Sequence, residues 1–149
     1  MAEIGFYHLQ STTLDRAVPG LLAKVVKSDM RAVVLAGSPE RVEALDVALW
    51  TFDPDSFLPH GTKTTGSAAE QPIWLTGTDE NPNGAAFLVL LDDMESAKLG
   101  EYRRIAYMFD GNDGAAVEAA RARWTLYKSQ GHALVYWQQG ENGGWQQKS

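Results

Sequence analysis

The feature that most constrains this chain is a short apolar run leading straight into a helix start. "RAVVLAG" (Arg31 to Gly37) is rich in valine, and "SPERVEALDVALW" follows without a gap. In the second segment Ser38 is placed to cap, Pro39 takes the first helical position and Glu40 adds an acid to the first turn, all favourable at a helix N-terminus. Arg41 stands three residues after the cap, so the full capping box is absent. A strand that hands over to a capped helix is the repeating unit of a parallel sheet.

The rest of the chain repeats this alternation. "IGFYHL" (Ile4 to Leu9) reads as a first strand. Ser11 to Thr13 are candidate caps for a helix bearing Leu14, Val18, Leu21, Leu22, Val25 and Val26 at helical spacing. Pro19 falls inside that helix, which is expected to begin later or to bend there. "PIWLT" and "AAFLVLL" are predicted strands on either side of the turn-rich "GTDENPNG". "IAYMFDG" (Ile105 to Gly111), a long helix over 113–130 and a last strand "HALVYWQQ" complete the pattern. The alternation predicts an α/β sandwich with a largely parallel sheet. One domain over residues 1–138 is expected, followed by a flexible tail over 139–149, where "GENGGWQQKS" reads as a frayed end.

Composition narrows the function classes. The 149 residues suffice for one domain with a sizeable core, and 44% hydrophobic with 21% charged residues is a folding balance. Thirteen Lys and Arg against nineteen Asp and Glu give a formal charge of −6, which opposes attraction to a phosphate backbone. With no cysteine there is no thiol catalysis, no disulfide and no thiolate metal site, and no need of an oxidising compartment. No apolar run approaches the ~20 residues of a membrane span, and the N-terminus lacks a secretory pattern, so a cytoplasmic protein is expected.

Motifs for chemistry are incomplete. "GTKTTGS" (Gly61 to Ser67) starts like a phosphate-binding loop, but Ser67 stands where the lysine for the β and γ phosphates belongs; a mobile polar loop is the simpler expectation. "FLVLLDD" (Phe87 to Asp93) ends in two acids that suit either a metal or a solvated strand end. His8, His60 and His132 have no spacing that would put two ligands on one helical face, so neither metal nor other cofactor is expected. Ser38 is explained as a cap rather than a nucleophile.

Two places stand out. "LDVALWTFDPDSFLPHG" (Leu45 to Gly61) crowds Trp50, Phe52, Phe57 and Leu58 around two prolines where a connection would normally be polar. It suits a ligand pocket served by His60, a docking surface, or a loop pinned to its own core. On the helix from Asp113, a step of ~100° per residue puts Ala116, Ala119, Ala120, Leu126 and Tyr127 on one arc and Glu118, Arg121, Thr125 and Lys128 opposite. Val117 and Trp124 lie at the border beside Arg121 and Lys128, either as an apolar slot next to two cations or as a tryptophan closing the core edge. Arg123 falls within the apolar arc, to pair with an acid or to emerge between strands.

Those residues resemble a known family, the chi subunit of the bacterial DNA polymerase III holoenzyme, part of the clamp-loader assembly. The likeness runs through "FYHL", "AVVLAGSPERVEALDVALWTFDPDSFLPHG", "IAYMFDG" and "ARARWTLYKSQGH", most specifically D-x-A-L-W followed by S-F-x-P-H. It implies a Rossmann-like α/β fold, a three-layer sandwich with a mostly parallel central sheet, and an adaptor without catalysis of its own. By the resemblance, Trp50, Phe57, Pro59 and His60 would meet the psi subunit or an equivalent clamp-loader protein. Val117, Arg121, Trp124 and Lys128 would take the acidic C-terminal tail of single-stranded DNA-binding protein, with DNA met only indirectly. Val117 and Thr125 stand where relatives often have lysine. The competing expectation is a nucleotide-binding or hydrolytic α/β enzyme with a non-standard phosphate loop.

Overall fold

A computed structural model describes residues 3–51, 59–63 and 66–148. In chain order the elements are β1 (Glu3–Leu9), α1 (Leu14–Lys27), β2 (Ala32–Leu35), α2 (Pro39–Thr51), β3 (Gly61–Thr62), β4 (Ile73–Thr76), β5 (Phe87–Leu90), β6 (Arg104–Asp110), α3 (Gly114–Ser129), β7 (Ala133–Gln139) and β8 (Trp145–Gln147). Short 3₁₀ turns occupy Ala68–Glu70 and Leu99–Glu101. The strands make one sheet in the order β3-β4-β2-β5-β6-β1-β7-β8, parallel throughout except for the antiparallel β7–β8 pair.

The pleat of the strands divides the core into two layers. On β1, Tyr7 and Leu9 join a cluster with Val18, Leu22 and Val25 of α1 and Leu45 and Leu49 of α2. Ile4 and Phe6 point the other way, to Ala120 and Tyr127 of α3. Helices α1 and α2 therefore cover one face and α3 the opposite face, which makes a Rossmann-like three-layer α/β sandwich. The central strands β2 and β5 are buried along their whole length, as a sheet covered on both faces requires.

The strand order also fixes where the faces exchange. The chain leaves β1 through α1 for β2 on one side, and leaves β6 through α3 for β7 on the other. The carboxyl ends of β1 and β6 thus form the switch point of the sheet. Gly111 is needed there, because a Cβ would lie 2.1 Å from the His8 ring and 2.4 Å from the carbonyl of Leu9.

Three expectations change. Helix α1 begins at Leu14 and runs through Pro19; the proline costs a bond in the second turn, offset by burying its ring beside Val18 and Leu22. The loop expected after His60 contains β3, whose Gly61 lets Gln71 approach to 2.7 Å from where a Cβ would be, in register with Trp74 of β4. Where a frayed end is expected, β7 turns back into β8, pairing Trp137 with Gln147 and Gln139 with Trp145. Gln139 is buried, and its Oε1 accepts the backbone N–H groups of Gln10, Ser11 and Thr12 at 3.0, 2.9 and 3.1 Å. That side chain holds the β1–α1 loop in place.

Candidate functional site

The edge between α3 and β7 carries the first candidate site. Asp113 caps α3 by accepting the N–H groups of Ala115 and Ala116, and Ala120 and Tyr127 anchor the helix on the sheet. Trp124 is half-buried, edge-on to Phe6 at 5.2 Å and to Tyr136 at 5.8 Å, and Val117 packs partly against the same cluster. Arg121 and Lys128 are exposed one turn to either side of Trp124, and among the described residues neither enters an ion pair. All four residues expected of the tail site therefore share one stripe of α3. Thr125 donates its hydroxyl to the carbonyl of Arg121 at 3.2 Å and adds no charge. Leu126 was expected on the packed arc but is 41% exposed. It lies ~100° around the helix from Tyr127, at the border away from Trp124.

Residues from β1 and β7 extend this stripe. The Nδ1 of His8 and the hydroxyl of Tyr136 are 2.5 Å apart, and both rings pack near Phe109. Burial lowers the pKa of His8, the positive charge of Arg121 lowers it further, and Asp110 acts in the opposite direction. The tryptophan slot is thus continued by a neutral, aromatic wall with Arg121 at its rim.

The second candidate lies at the end of α2. Trp50 is 58% exposed and Val47, one turn earlier on the same face, is 57% exposed. His60 is buried: its Nε2 is 2.8 Å from Oδ1 of Asp46, and its ring meets Trp50 at 5.0 Å. The exposed apolar surface here is that of Val47 and Trp50, while His60 ties the returning chain to α2. Pro59 is half-buried, and Phe57 lies outside the described residues.

A crevice of about 800 Å3 sits at the switch point between the starts of α1 and α3. Four of its charged groups, Asp15, Arg41, Asp92 and Asp93, are engaged in ion pairs. Asp92 accepts the N–H of Gly37 at 2.9 Å and bonds twice to Arg41, which also lies 3.5 Å from Asp15. Arg123 donates to the carboxylate and the carbonyl of Asp93 and pairs with Glu95, which answers where the arginine of the apolar arc goes. Tyr107 donates to the same carboxylate at 2.6 Å. Burial works to raise the pKa of Asp93, but hydrogen bonds from Arg123 and Tyr107 and the charge of Arg123 outweigh it and leave the carboxyl below its usual range. Among the described residues no group of three His, Asp or Glu is arranged to hold a metal ion.

Comparison with known proteins identifies the family. A family model described as DNA polymerase III chi subunit, HolC, matches residues 1–135. This chain belongs to the DNA polymerase III chi subunit family. It is also 30% identical over 109 residues to the "Probable DNA polymerase III subunit chi" of Rickettsia prowazekii (strain Madrid E), a match that covers 73% of this chain and 66% of that relative. The chi family match takes in Trp50, Pro59, His60, Val117, Arg121, Trp124 and Lys128 and ends within β7, just before Tyr136.

Sequence reasoning missed Val47, His8 and Tyr136. Val47 is three residues before Trp50, a spacing that marks one helix face. Tyr136 shares its strand face with Leu134 by simple alternation, while Trp137 points to the opposite layer. His8 carries no local signal, because its neighbourhood depends on β1 lying between β6 and β7.

Proposed function

We propose that this chain is a non-catalytic adaptor of the replication machinery, linking the polymerase III clamp-loader assembly to the acidic C-terminal tail of single-stranded DNA-binding protein. A replication accessory role follows from membership of the chi family. The two docking assignments go further. The observation that carries the tail site is the pairing of half-buried Trp124 with Arg121 and Lys128, two cations without ion-pair partners among the described residues. A tail of acids ending in a phenylalanine with a free carboxylate needs a cation to pair with the carboxylate and an apolar slot for the ring.

Because Val117 and Thr125 bring no charge, the ring carries more of the affinity and the salt dependence is mild; exposed pairs contribute only ~0.2–1 kcal/mol each and are screened. Fluorescence anisotropy with a labelled tail peptide tests this. Binding should weaken with Arg121→Ala and again with a peptide lacking its final phenylalanine. Binding that survives both changes places the tail elsewhere.

On the clamp-loader side, psi or an equivalent protein would meet Trp50, with Phe57, Pro59 and His60 completing the segment. The support is an exposed Trp50 beside an exposed Val47, an aromatic anchor of the kind interfaces use. Trp50→Ala should cost ~2 kcal/mol or more in partner affinity, well over tenfold, and leave the fold intact. Unchanged co-purification with every clamp-loader component would contradict this assignment. We place the protein in the cytoplasm, in keeping with the absence of cysteine from its sequence; among the described residues no helix is long and apolar enough to cross a membrane.

The polar crevice at the strand ends favours the rival reading, a nucleotide-binding enzyme. Five aspartates line it, a poor lining for a triphosphate, and three of them, Asp15, Asp92 and Asp93, are already paired with Arg41 or Arg123. The 3₁₀ turn after Ser67 is only three residues long and offers no helix N-terminus to a phosphate. Calorimetry should detect no ATP binding; saturable binding at micromolar ATP, lost on Lys63→Ala or Asp92→Asn, would establish the enzyme instead.

A further inference from the structure

We infer that a groove between α1 and the β7–β8 hairpin, on the face opposite α3, docks an acidic peptide segment of a partner protein through one large apolar side chain. The groove exists because α1 covers β1 through Val18, Leu22 and Val25, and beyond it no described helix covers the same layer above β7 and β8. It encloses about 600 Å3. Its floor is aromatic: Tyr7 and Trp137 lie near-parallel with ring centroids 6.3 Å apart, and Trp145 stands edge-on to Tyr7 at 5.1 Å. Trp137 and Trp145 remain half-buried, so apolar surface is left for a ligand.

Charge identifies the occupant. Arg16, Lys24 and Arg104 line the groove, all exposed, and no Asp or Glu lines it with them. Among the described residues none of the three enters an ion pair, although Glu3 is the cross-strand neighbour of Arg104. In a chain of formal charge −6, three cations without ion-pair partners among the described residues, set around an apolar floor, select carboxylates flanking an apolar residue. A single-stranded nucleic acid could stack on the same rings, but the rest of this acidic surface gives its backbone no basic track to follow. The site is separate from the Arg121–Trp124 stripe, since Trp137 and Tyr136 point to opposite faces of β7.

The probe is a fluorescent acidic hexapeptide with one central phenylalanine, acetylated and amidated so that it lacks the terminal carboxylate expected at Arg121. It should bind the full chain, shift the amide resonances of Leu21 and Trp145, and lose about tenfold or more in affinity on Lys24→Glu/Arg104→Glu. Both substitutions lie on exposed positions, and a circular dichroism melt shows whether the fold is kept. Arg121→Ala should leave this binding unchanged, so it fails or succeeds independently of the tail site. Replacing the central phenylalanine by serine should abolish it. Absence of binding at millimolar peptide, indifference to the charge reversal, or displacement of the peptide by oligodeoxythymidine at lower concentration would each overturn the proposal.

Discussion

The crevice at the switch point and the α3 edge use the same residue types in opposite ways. In the crevice, Arg41 and Arg123 are held by Asp15, Asp92, Asp93 and Glu95, and Tyr107 completes the network. At the edge, Arg121 and Lys128 face solvent beside half-buried aromatic rings. In most open α/β sheets the strand ends are where ligands bind. Here Asp15, Asp92 and Asp93 at those ends are tied to Arg41 and Arg123, and the cations proposed for recognition, Arg121 and Lys128, lie on a helix flank. On the proposed function, fold position alone does not locate the site; the balance of paired and unpaired charges does.

If that contrast is right, the two arginines two positions apart on α3 separate stability from binding. Arg123→Met removes the partner of Asp93 and should cost about 1–3 kcal/mol in urea unfolding, towards the low end because Asp93 and Glu95 are water-exposed. Tail-peptide affinity should be unaffected. Arg121→Ala should do the reverse, changing stability by no more than about 0.5 kcal/mol and lowering tail affinity by several-fold, about 1 kcal/mol. Equal losses of stability for the two variants would break the comparison.

A smaller effect lies in acid. The folded pKa of Asp93 is below its usual 3.8, so the group adds stability that is present above that value and is lost as pH falls through the folded pKa. Arg123→Met should flatten that part of the acid unfolding curve, read by circular dichroism below about pH 4. An unchanged acid limb would show that the pair contributes nothing to folding.

The smallest concerns His8, whose pKa is below the usual 6.5 because of burial first and Arg121 second. A depressed histidine pKa means that the unfolded chain binds more protons. This share of stability is full above about pH 6.5 and is lost as pH falls towards the folded pKa. In an NMR titration Arg121→Ala should raise the His8 pKa, with burial keeping it below 6.5. No movement would place the guanidinium away from the aromatic wall.

Much of this was legible in the residues. Ser38, Pro39 and the run before them identify a βα unit, and in the structure the Ser38 hydroxyl accepts the N–H of Arg41 at 3.2 Å. The Val117, Arg121, Trp124 and Lys128 stripe follows from helical periodicity alone. What could not be read depends on contacts remote in sequence. The burial of His60 follows from its bond to Asp46, the fate of Arg123 from a strand-end acid thirty residues earlier, and the hairpin at β8 from pairing with Trp137 and Gln139. A run such as "GENGGWQQKS" has the composition of a loose end, and only the partner strand beside it makes it β-structure.

The central claim is that recognition occurs on the α3 edge while the strand-end crevice is structural. The most direct measurement is a chemical-shift titration of the 15N-labelled chain with the acidic, phenylalanine-ended tail peptide and, separately, with magnesium ATP. The account predicts that the peptide moves the resonances of Val117, Arg121, Trp124, Lys128 and Tyr136 and leaves those of Asp92, Asp93 and Asp110 in place, and that ATP moves neither set. Saturable shifts at Asp92, Asp93 or Asp110 with either ligand, and a silent α3, would contradict it.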